Sequence, residues 1–315
     1  MRLPLTIVGG FLGAGKTTLI QRLLLQADGR RIAVLVNDFG KLNIDASLLA
    51  RSGADTLELS NGCVCCSIGD DLNAALIQLE SRAGDFDHVV IEASGVSDPW
   101  KIAQIGLVNA GYRLDGIVVL VDASAVQELL NSPRYEDTVL RQCRRADLLL
   151  LNKMDVVAAT GLDVSATTQT LTKRLFNGMP FHGQVLACSQ ADVPIDALLG
   201  SYVQPSQPAQ QWGESFKAVS KPKWQSLSLV STQTWTRSQF ESCLTAVPAS
   251  LVRGKAILPG HETSGGWLEW HRVCGRDTWL VHTGAAPVKQ SVLVLIGLDE
   301  MTEVDSEKLR SNGWV

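Results

Sequence analysis

The chain has little of what membrane-spanning and nucleic-acid-binding proteins carry. No apolar run approaches the roughly 18 residues that a membrane-spanning helix needs. Basic residues are not massed in any one segment, and the net charge over 315 residues is −4. These two absences argue against a membrane protein and against binding along a nucleic-acid backbone, which requires a basic surface.

The sequence also has no evident leader segment and no evident internal repeat. The first strand pattern begins near Leu3, so we expect no signal peptide and a cytoplasmic location. In that compartment the seven cysteines are expected to be thiols or metal ligands rather than disulfides. Four of them are scattered along the chain, and we expect these to be buried as small hydrophobic side chains. They are Cys143, Cys188, Cys243 and Cys274.

The most informative segment present is GGFLGAGKTT, from Gly9 to Thr18, which contains the phosphate-loop pattern G-x-x-x-x-G-K-[ST]. A short apolar run precedes it and a run with helical spacing, Thr18–Gln26, follows it. This is the strand–loop–helix context that the pattern requires. The nucleotide contacts expected from it are Gly10, Gly13, Ala14, Gly15, Lys16, Thr17 and Thr18.

Two side chains of this loop have distinct predicted roles. Glycines let backbone N–H groups turn toward the phosphates, and the following helix N-terminus adds a favourable potential for anions. Lys16 is expected to reach the β- and γ-phosphates, and the Thr17 hydroxyl is expected to bind Mg²⁺. The loop therefore predicts a nucleoside triphosphate site with Mg²⁺.

Apolar runs alternate with helical patterns from residue 1 to about residue 200. Continuous apolar runs are typical of parallel strands that are covered on both faces. We therefore predict a doubly wound α/β domain of the P-loop NTPase class over residues 1–202, with ligands at the carboxyl ends of the strands. The predicted strands are Leu5–Val8, Ile32–Asn37, His88–Ala93, Gly116–Asp122, Leu148–Asn152 and Gln184–Ala187, and helical patterns include Asp70–Arg82 and Glu136–Arg145.

The composition changes after this domain. Residues 203–222 are rich in Pro, Gln and Ser, which is typical of a linker. Strand patterns then mix with short helical ones, so a smaller α+β domain is predicted over residues 223–315. Six of the eight tryptophans lie there, and we expect them to pack a sheet core rather than form a docking surface. The predicted elements are Trp224–Val230, Ser238–Ala246, Gly266–Cys274, Thr278–His282, Ser291–Gly297 and Val304–Leu309.

Residues Asn152-Lys153-Met154-Asp155 have the pattern N-K-x-D, which reads guanine, directly after an apolar strand. The Asp155 carboxylate can accept hydrogen bonds from guanine N1–H and N2–H₂, a donor pair that adenine lacks. Asn152 can donate to the base edge and tie the loop down, and the stem of Lys153 can cover the ring. The site is therefore expected to take GTP and GDP. Residues 188–191 either add a backbone contact to the base or form an ordinary loop.

Acidic residues follow two of the predicted strands and mark candidate switch segments. Glu92 can hold Mg²⁺, directly or through water, or orient the attacking water, and the Gly95 N–H can contact the γ-phosphate. The alternative for Glu92 is a strand-end carboxylate that caps the next turn. Asp38 ends the second strand and is a candidate metal or water contact. The catalytic candidates are thus Lys16, Asp38 and Glu92.

A cysteine cluster lies between these two segments, at Cys63, Cys65 and Cys66. Thiolates are soft ligands suited to Zn²⁺, Cu(I), Co²⁺ or Ni²⁺. A closed structural zinc site needs four protein ligands, so Glu58 or a ligand from a partner would have to complete the shell. An incomplete shell suits a metal that is loaded and handed on. The alternatives are a redox dithiol or a chance cluster.

In this order the motifs resemble those of CobW-type GTPases, a family of metallochaperones or metal insertases, over nearly the whole chain. The resemblance implies slow GTP hydrolysis, binding of zinc, or of cobalt or nickel, at the three clustered cysteines, and delivery of that metal to a client protein. The family carries a C-terminal α+β domain, and Arg253-Gly254-Lys255-Ala256 is similar to its R-x-K-G signature.

The chain departs from the family pattern at several positions. Asp38 replaces the usual Glu, Asn43 replaces a frequent Gly, and Ala256 replaces the signature Gly. There is no His-rich tract, and His261, His271 and His282 are spaced singly. Two other functions stay open, a small-molecule phosphate-loop kinase and a metal-buffering or regulatory guanine-nucleotide module. The identity of the client and the existence of a homodimer are also open.

Overall fold

The computed structural model describes two compact units, Met1–Leu199 and Gly200–Val315. The linker prediction, residues 203–222, lies outside the described residues. The residues that the structure describes are 2–27, 29–36, 56–58, 68–200, 224–247, 251–261, 266–273, 276–298 and 303–315.

In the described part of the first unit, seven strands form a parallel sheet in the order β3-β2-β4-β1-β5-β6-β7. This arrangement confirms the predicted doubly wound α/β fold. The strands are β1 Leu3–Gly10, β2 Ile32–Val36, β3 Thr56–Glu58, β4 His88–Glu92, β5 Tyr112–Asp122, β6 Leu148–Asn152 and β7 Gln184–Ala187. The helices are α1 Lys16–Leu25, α2 Ile68–Ser81, α3 Pro99–Val108, α4 Val126–Leu130, α5 Glu136–Cys143, α6 Met154–Ala159, α7 Val164–Leu175 and α8 Ile195–Leu199.

Two strands near the middle of the sheet, β1 and β6, are buried along their whole length. Every residue of β1 and of β6 is buried, and Leu5, Ile7, Leu149 and Leu151 have no exposed surface. Each such side chain contributes about 1.5–3 kcal/mol through the apolar surface that it removes from water. This packing holds the strands in register and so fixes the positions of the polar residues at their carboxyl ends.

The short strand β3 was missed by the sequence analysis. It has three residues and pairs with β2, with Glu58 opposite Val36. A run of three residues is too short to show the period of two or the continuous apolar run that identifies strands.

In the described part of the second unit, five strands form an antiparallel sheet in the order β11-β10-β9-β12-β8. Together with two helices this confirms the predicted α+β class. The elements are β8 Trp224–Ser231, α9 Arg237–Cys243, β9 Leu251–His261, β10 Gly266–Val273, β11 Arg276–His282, β12 Ser291–Leu298 and α10 Glu303–Ser311. Within the described ranges, no helix of either unit is long and apolar enough to cross a membrane.

Three of the C-terminal tryptophans form the core of this unit, as expected. Trp235, Trp270 and Trp314 are buried around Phe240, and the rings of Trp235 and Trp314 stack with centroids 5.2 Å apart. Trp279 is partly buried and packs against the same cluster. The aromatic side chains therefore hold the sheet against α9 and α10.

Strand β9, which lies in the middle of the second sheet, was also missed. It contains the R-G-K-A segment, and charged residues and a glycine interrupt its apolar pattern. Gly254 is required there, because a Cβ atom at this position would lie 2.5 Å from Cη2 of Trp270. The signature segment therefore has a packing role in the described structure.

Candidate nucleotide-binding site

The carboxyl ends of four adjacent strands place the predicted site residues side by side. Strand β1 lies between β4 and β5, and β5 pairs with β6. The registers align Glu92 with Val8 on β1 and Asn152 with Asp122 on β5. The loop after β1 therefore stands between an acidic residue on one side and the N-K-x-D segment on the other.

Backbone geometry explains the glycines at both ends of the phosphate loop. Gly10 has φ +136 and Gly15 has φ +104, a region that L-residues with a side chain rarely adopt. A Cβ atom at Gly10 would lie 2.3 Å from the carbonyl oxygen of Leu120, and one at Gly15 would lie 2.5 Å from Nδ2 of Asn152. The loop can thus approach the neighbouring strands only with glycine at these positions.

A cavity of about 300 Å³ opens at this loop and joins the predicted phosphate and switch residues. Lys16 is buried at its edge, and its Nζ donates hydrogen bonds to the carbonyl oxygens of Gly10, at 3.0 Å, and Phe11, at 3.3 Å. The cavity is lined by Leu12, Gly13, Gly15, Lys16, Thr17, Thr18, Val36, Glu92, Ala93, Ser94 and Gly95.

Thr17 and Glu92 meet inside this cavity. The Thr17 hydroxyl donates to the buried Glu92 carboxylate, with 3.3 Å between Oγ1 and Oε1. Hydroxyl and carboxylate oxygens are the ligands that Mg²⁺ prefers, and it commonly uses one or two of them together with phosphate oxygens. The pair therefore fits a magnesium ion bound beside a triphosphate.

Asn152 ties the phosphate loop to the loop that follows β7. Its side chain is buried, Nδ2 donates to the carbonyl oxygen of Ala14 at 2.9 Å, and Oδ1 accepts from the backbone N–H of Ala191 at 2.8 Å. Gln190 and Ala191 both have φ +53. The structure thus places residues 188–191 against the N-K-x-D segment, and a backbone contact from them to the base stays a prediction.

Lys153 and Asp155 of the N-K-x-D segment are held in different ways. Lys153 has φ +63 and its Nζ lies 2.6 Å from Oδ2 of Asp122, at the end of β5. Asp155 is exposed, and its backbone N–H donates to Oγ of Ser189 at 3.0 Å. The Asp155 carboxylate is therefore accessible to a ligand, while its backbone is held.

Asp122 is a site residue that the sequence analysis missed. Burial alone would raise the pKa of this carboxyl, but hydrogen bonds from Lys153 and Ser124 and the charge of Lys153 outweigh it and lower the pKa. Asp122 is consequently an anion at neutral pH. The available signal was its position as an acid at the end of an apolar strand, next to the strand that carries N-K-x-D.

Part of the predicted metal and switch machinery lies outside the described residues, namely Asp38, Cys63, Cys65 and Cys66. Glu58 ends β3, and its backbone is described but its side chain is not. Within the described ranges, no group of three or more His, Cys, Asp or Glu side chains is arranged to hold a metal ion.

Three of the scattered cysteines are buried, as expected, and the fourth, Cys274, lies outside the described residues. Burial raises the pKa of the Cys143 and Cys188 thiols to about 12 and also raises that of Cys243. Because metal binding and nucleophilic reactions need the thiolate, these three are poor ligands and poor nucleophiles.

Two of the histidines that are spaced singly in sequence contact the same carboxylate. Nε2 of His271 lies 2.8 Å from Oε1 of Glu269, and Nε2 of His282 lies 2.9 Å from Oε2 of the same carboxylate. Nζ of Lys255 lies 3.3 Å from Oε1. The cluster is therefore a compensated charge network on one face of the second sheet.

Comparison with known proteins identifies relatives of this chain. The "Zinc chaperone CobW" of Sinorhizobium sp is 37% identical over 189 residues, which cover 51% of this chain and 53% of that protein. The "Zinc-regulated GTPase metalloprotein activator 1" of Schizosaccharomyces pombe is 36% identical over 180 residues, which cover 54% and 43%. The matched part spans about half the length of these curated relatives.

A family model and a solved structure extend the comparison. The crystal structure of Zn(II)-bound YjiA GTPase from E. coli aligns over 99% of this chain and 98% of its own, with 23% identity and a TM-score of 0.46. The model described as "CobW/HypB/UreG, nucleotide-binding domain" matches residues 4–181. Because that match covers more than half of the chain and contains the phosphate loop, Glu92 and the N-K-x-D segment, the protein belongs to the CobW/HypB/UreG family.

Proposed function

We propose that this chain binds GTP and GDP with Mg²⁺, hydrolyses GTP slowly, and couples that reaction to the handling of a transition metal, with zinc as the first candidate. The observation that carries the proposal is the meeting of Thr17 and Glu92, 3.3 Å apart, inside the cavity of the phosphate loop. The last part of the proposal is that the chain delivers this metal to a client protein.

The nucleotide part follows from the roles available to the described residues. Lys16 stands at the cavity edge with its ammonium on loop carbonyls, from which it can turn to the β- and γ-phosphates. Mg²⁺, when bound by Thr17 and Glu92, supplies positive charge to the phosphate oxygens. Glu92 also accepts a hydrogen bond and can orient a water, and Gly95 lines the same cavity and can offer its N–H to the γ-phosphate.

Selection of guanine is assigned to Asp155, whose side chain is exposed while its backbone is held by Ser189. Two donors of guanine, N1–H and N2–H₂, match the two oxygens of a carboxylate, whereas adenine would leave that carboxylate unpaired. This chemistry disfavours an ATP-dependent small-molecule kinase.

The metal part is supported by the position of the cysteines in the chain and by the names of the relatives. Cys63, Cys65 and Cys66 follow β3, which ends at Glu58 opposite Val36, a residue that lines the nucleotide cavity. A change at the γ-phosphate would therefore occur close to β2 and its partner β3, and the cysteine segment follows β3 in the chain. Relatives are named zinc chaperone and zinc-regulated GTPase metalloprotein activator, which makes zinc the metal to test first.

The deciding experiment titrates reduced, metal-free protein with Zn²⁺, Co²⁺ and Ni²⁺, once with GDP and once with the β,γ-imido analogue of GTP. A Cys65→Ala, Cys66→Ala variant is the control for the thiolate ligands, and Cys143→Ala is the matched control for a buried cysteine. We expect tight binding that requires the clustered cysteines and differs between the two nucleotides. Equal affinity in both nucleotide states would favour metal buffering, and binding that ignores the cysteines would remove the metal site.

Hydrolysis is tested separately, so that the two halves of the proposal can fail independently. We expect release of phosphate from GTP with Mg²⁺, and a large loss with Thr17→Ala or when Mg²⁺ is removed by chelation. Transfer of phosphate to an acceptor instead of water would favour the kinase. Comparison of GTP with ATP in the same assay tests the assignment of the base.

A further inference from the structure

A buried glutamine outside every recognised motif holds the segment that follows Glu92. Gln142 lies on α5 and is 3% exposed. Its single amide nitrogen, Nε2, donates to the carbonyl oxygens of Gly95, at 3.1 Å, and Ser97, at 3.0 Å. Both N–H groups of the amide are thus used on the same short segment.

This segment is fixed at its two ends by other contacts. The backbone N–H of Ala93 donates to the carbonyl oxygen of Val8 on β1 at 2.8 Å. At the far end Asp98 caps α3, accepting from the N–H of Trp100 at 3.0 Å. Between these points, Gln142 supplies the hydrogen bonds from outside the segment to the carbonyls of Gly95 and Ser97.

Gly95 has little freedom on the side that faces the phosphate loop. A Cβ atom there would lie 2.5 Å from Cδ2 of Leu12 and 3.0 Å from its backbone nitrogen. The residue is therefore held between Leu12 on one side and the Gln142 amide on the other. A shift of the Gly95 peptide groups requires a change in one of these two contacts.

Helix α5 is itself anchored to the phosphate loop and the sheet. Tyr135, just before α5, packs edge-on against Phe11 of the loop, with ring centroids 5.4 Å apart. Val139 and Cys143, on the same side of the helix as Gln142, belong to the core of the first unit. The amide of Gln142 is thus presented from a fixed support whose position is set by the loop.

We propose that Gln142 is a positioning residue that sets the Gly95 N–H for the γ-phosphate, so that it favours the triphosphate over the diphosphate. The inference rests on the proposed function. Gln142 does not line the phosphate cavity and acts only through the carbonyls of the segment. GDP has no γ-phosphate for the Gly95 N–H to contact, so the affinity of the chain for GDP serves as the internal reference.

The experiment measures the affinities for GDP and for the β,γ-imido analogue of GTP, with Mg²⁺, in the full chain. Gln142→Leu keeps the size and removes both donors. We expect the ratio of triphosphate to diphosphate affinity to fall about tenfold, which equals about 1.4 kcal/mol, the scale of one lost hydrogen bond. Gln169→Leu, an exposed glutamine on α7, is the matched control and should leave the ratio unchanged.

A second variant separates positioning from mere support of the fold. Gln142→Glu keeps the shape but presents a carboxylate, which cannot donate, to two carbonyl oxygens. We expect a loss like that of Gln142→Leu at about pH 8 and a partial recovery at about pH 6, where a buried carboxyl is protonated and donates once. The wild-type chain at both pH values corrects for titration of the nucleotide, and the Glu variant serves alone if the Leu variant does not fold.

Each other outcome overturns a stated idea. A ratio of triphosphate to diphosphate affinity within about twofold of wild type in the folded variants would overturn the role of Gln142 and leave the proposed function in place. Equal losses for both nucleotides would show that it supports the fold only. A wild-type chain that does not bind the GTP analogue would overturn the proposed function and this inference with it.

Discussion

Asp122 and Lys153 form an ion pair, with 2.6 Å between Oδ2 and Nζ, that joins the carboxyl ends of β5 and β6. Neither side chain is fully exposed, since 14% of the Asp122 side chain and 37% of the Lys153 side chain are accessible. Lys153 also has φ +63 and directly precedes α6, which carries Asp155. The ion pair therefore holds the turn that presents the residue assigned to guanine.

We first predict that Asp122→Asn weakens GDP and GTP binding by the same factor. The substitution removes the charge that holds Lys153, and a partly buried pair of this kind is worth about 1 kcal/mol, or about fivefold in affinity. Equilibrium titration with both nucleotides measures it. The control is Asp137→Asn, which removes an exposed i,i+4 pair with Arg141 on α5 and should change nothing. A loss confined to GTP would contradict a role on the base side.

The same pair predicts a dependence of stability on acid. The pKa of Asp122 is lowered from its ordinary value of 3.8, because the hydrogen bonds from Lys153 and Ser124 outweigh burial. A folded-state pKa below the unfolded one means that the ionised group stabilises the fold above the unfolded pKa. That contribution is lost as the pH falls through the folded pKa.

We therefore expect the difference in the free energy of unfolding between wild type and Asp122→Asn to be constant from neutral pH to about pH 5. It should shrink below about pH 4 and be absent once the carboxyl is protonated in both states. Urea unfolding at a series of pH values measures it. A difference that grew toward low pH would have the wrong sign and would refute the ion pair.

A third prediction concerns the choice of base. Asp155→Asn replaces two acceptors by one acceptor and one NH₂ donor, which no longer matches the N1–H and N2–H₂ of guanine. It does match xanthine, which has N1–H beside a carbonyl. We expect affinity for GTP to fall by at least about tenfold and affinity for xanthosine triphosphate to rise. Unchanged preference for GTP over ATP and XTP in a folded variant would remove Asp155 from the base site.

The parts of the fold that could be predicted are those in which the local pattern and the final environment agree. The apolar run of β6 and its Asn152 end were predicted with the observed bounds, because a strand buried on both faces shows a continuous apolar sequence. Strand β9 was not predicted, because Arg253, Gly254 and Lys255 break its pattern and neighbouring strands supply the burial.

The residues of the candidate site also divide into those that a sequence pattern can identify and those that only the fold brings together. Lys16, Thr17 and Asn152 belong to motifs whose spacing is fixed by backbone geometry, so the sequence was sufficient to name them. Asp122 and Gln142 are single residues whose partners are 31 and between 45 and 47 positions away in the chain, and only the fold brings them together. No local pattern distinguishes such residues from an ordinary strand-end acid or a helical glutamine.

A fourth prediction tests the missed strand. Gly254→Ala places a Cβ atom 2.5 Å from Cη2 of Trp270, a buried ring that cannot move without disturbing Phe240. We expect a loss of about 2 kcal/mol or more in the free energy of unfolding of the second unit. Tryptophan fluorescence during urea unfolding measures it. Adding Trp270→Phe, which shortens the ring system, should recover part of that loss. No interaction between the two substitutions would contradict the contact.

The last prediction tests why the phosphate loop begins with glycine at position 10. A Cβ atom at Gly10 would lie 2.3 Å from the carbonyl oxygen of Leu120, which is backbone of the adjacent strand β5 and cannot rotate away. Gly10 also has φ +136, so an alanine is strained there even without a neighbour. The two effects can be separated by comparison with Gly29, which has φ +80 and no atom within 4 Å of its Cβ position.

Gly29→Ala should therefore cost only the strain of a positive φ, about 1–2 kcal/mol. Gly10→Ala should cost more than about 4 kcal/mol, because β1 and β5 must separate to admit the methyl group. Urea midpoints of the two variants and of wild type measure the difference without any ligand. If both variants lost the same stability, the close approach of β1 to β5 would not be the reason for glycine, and backbone conformation alone would explain it.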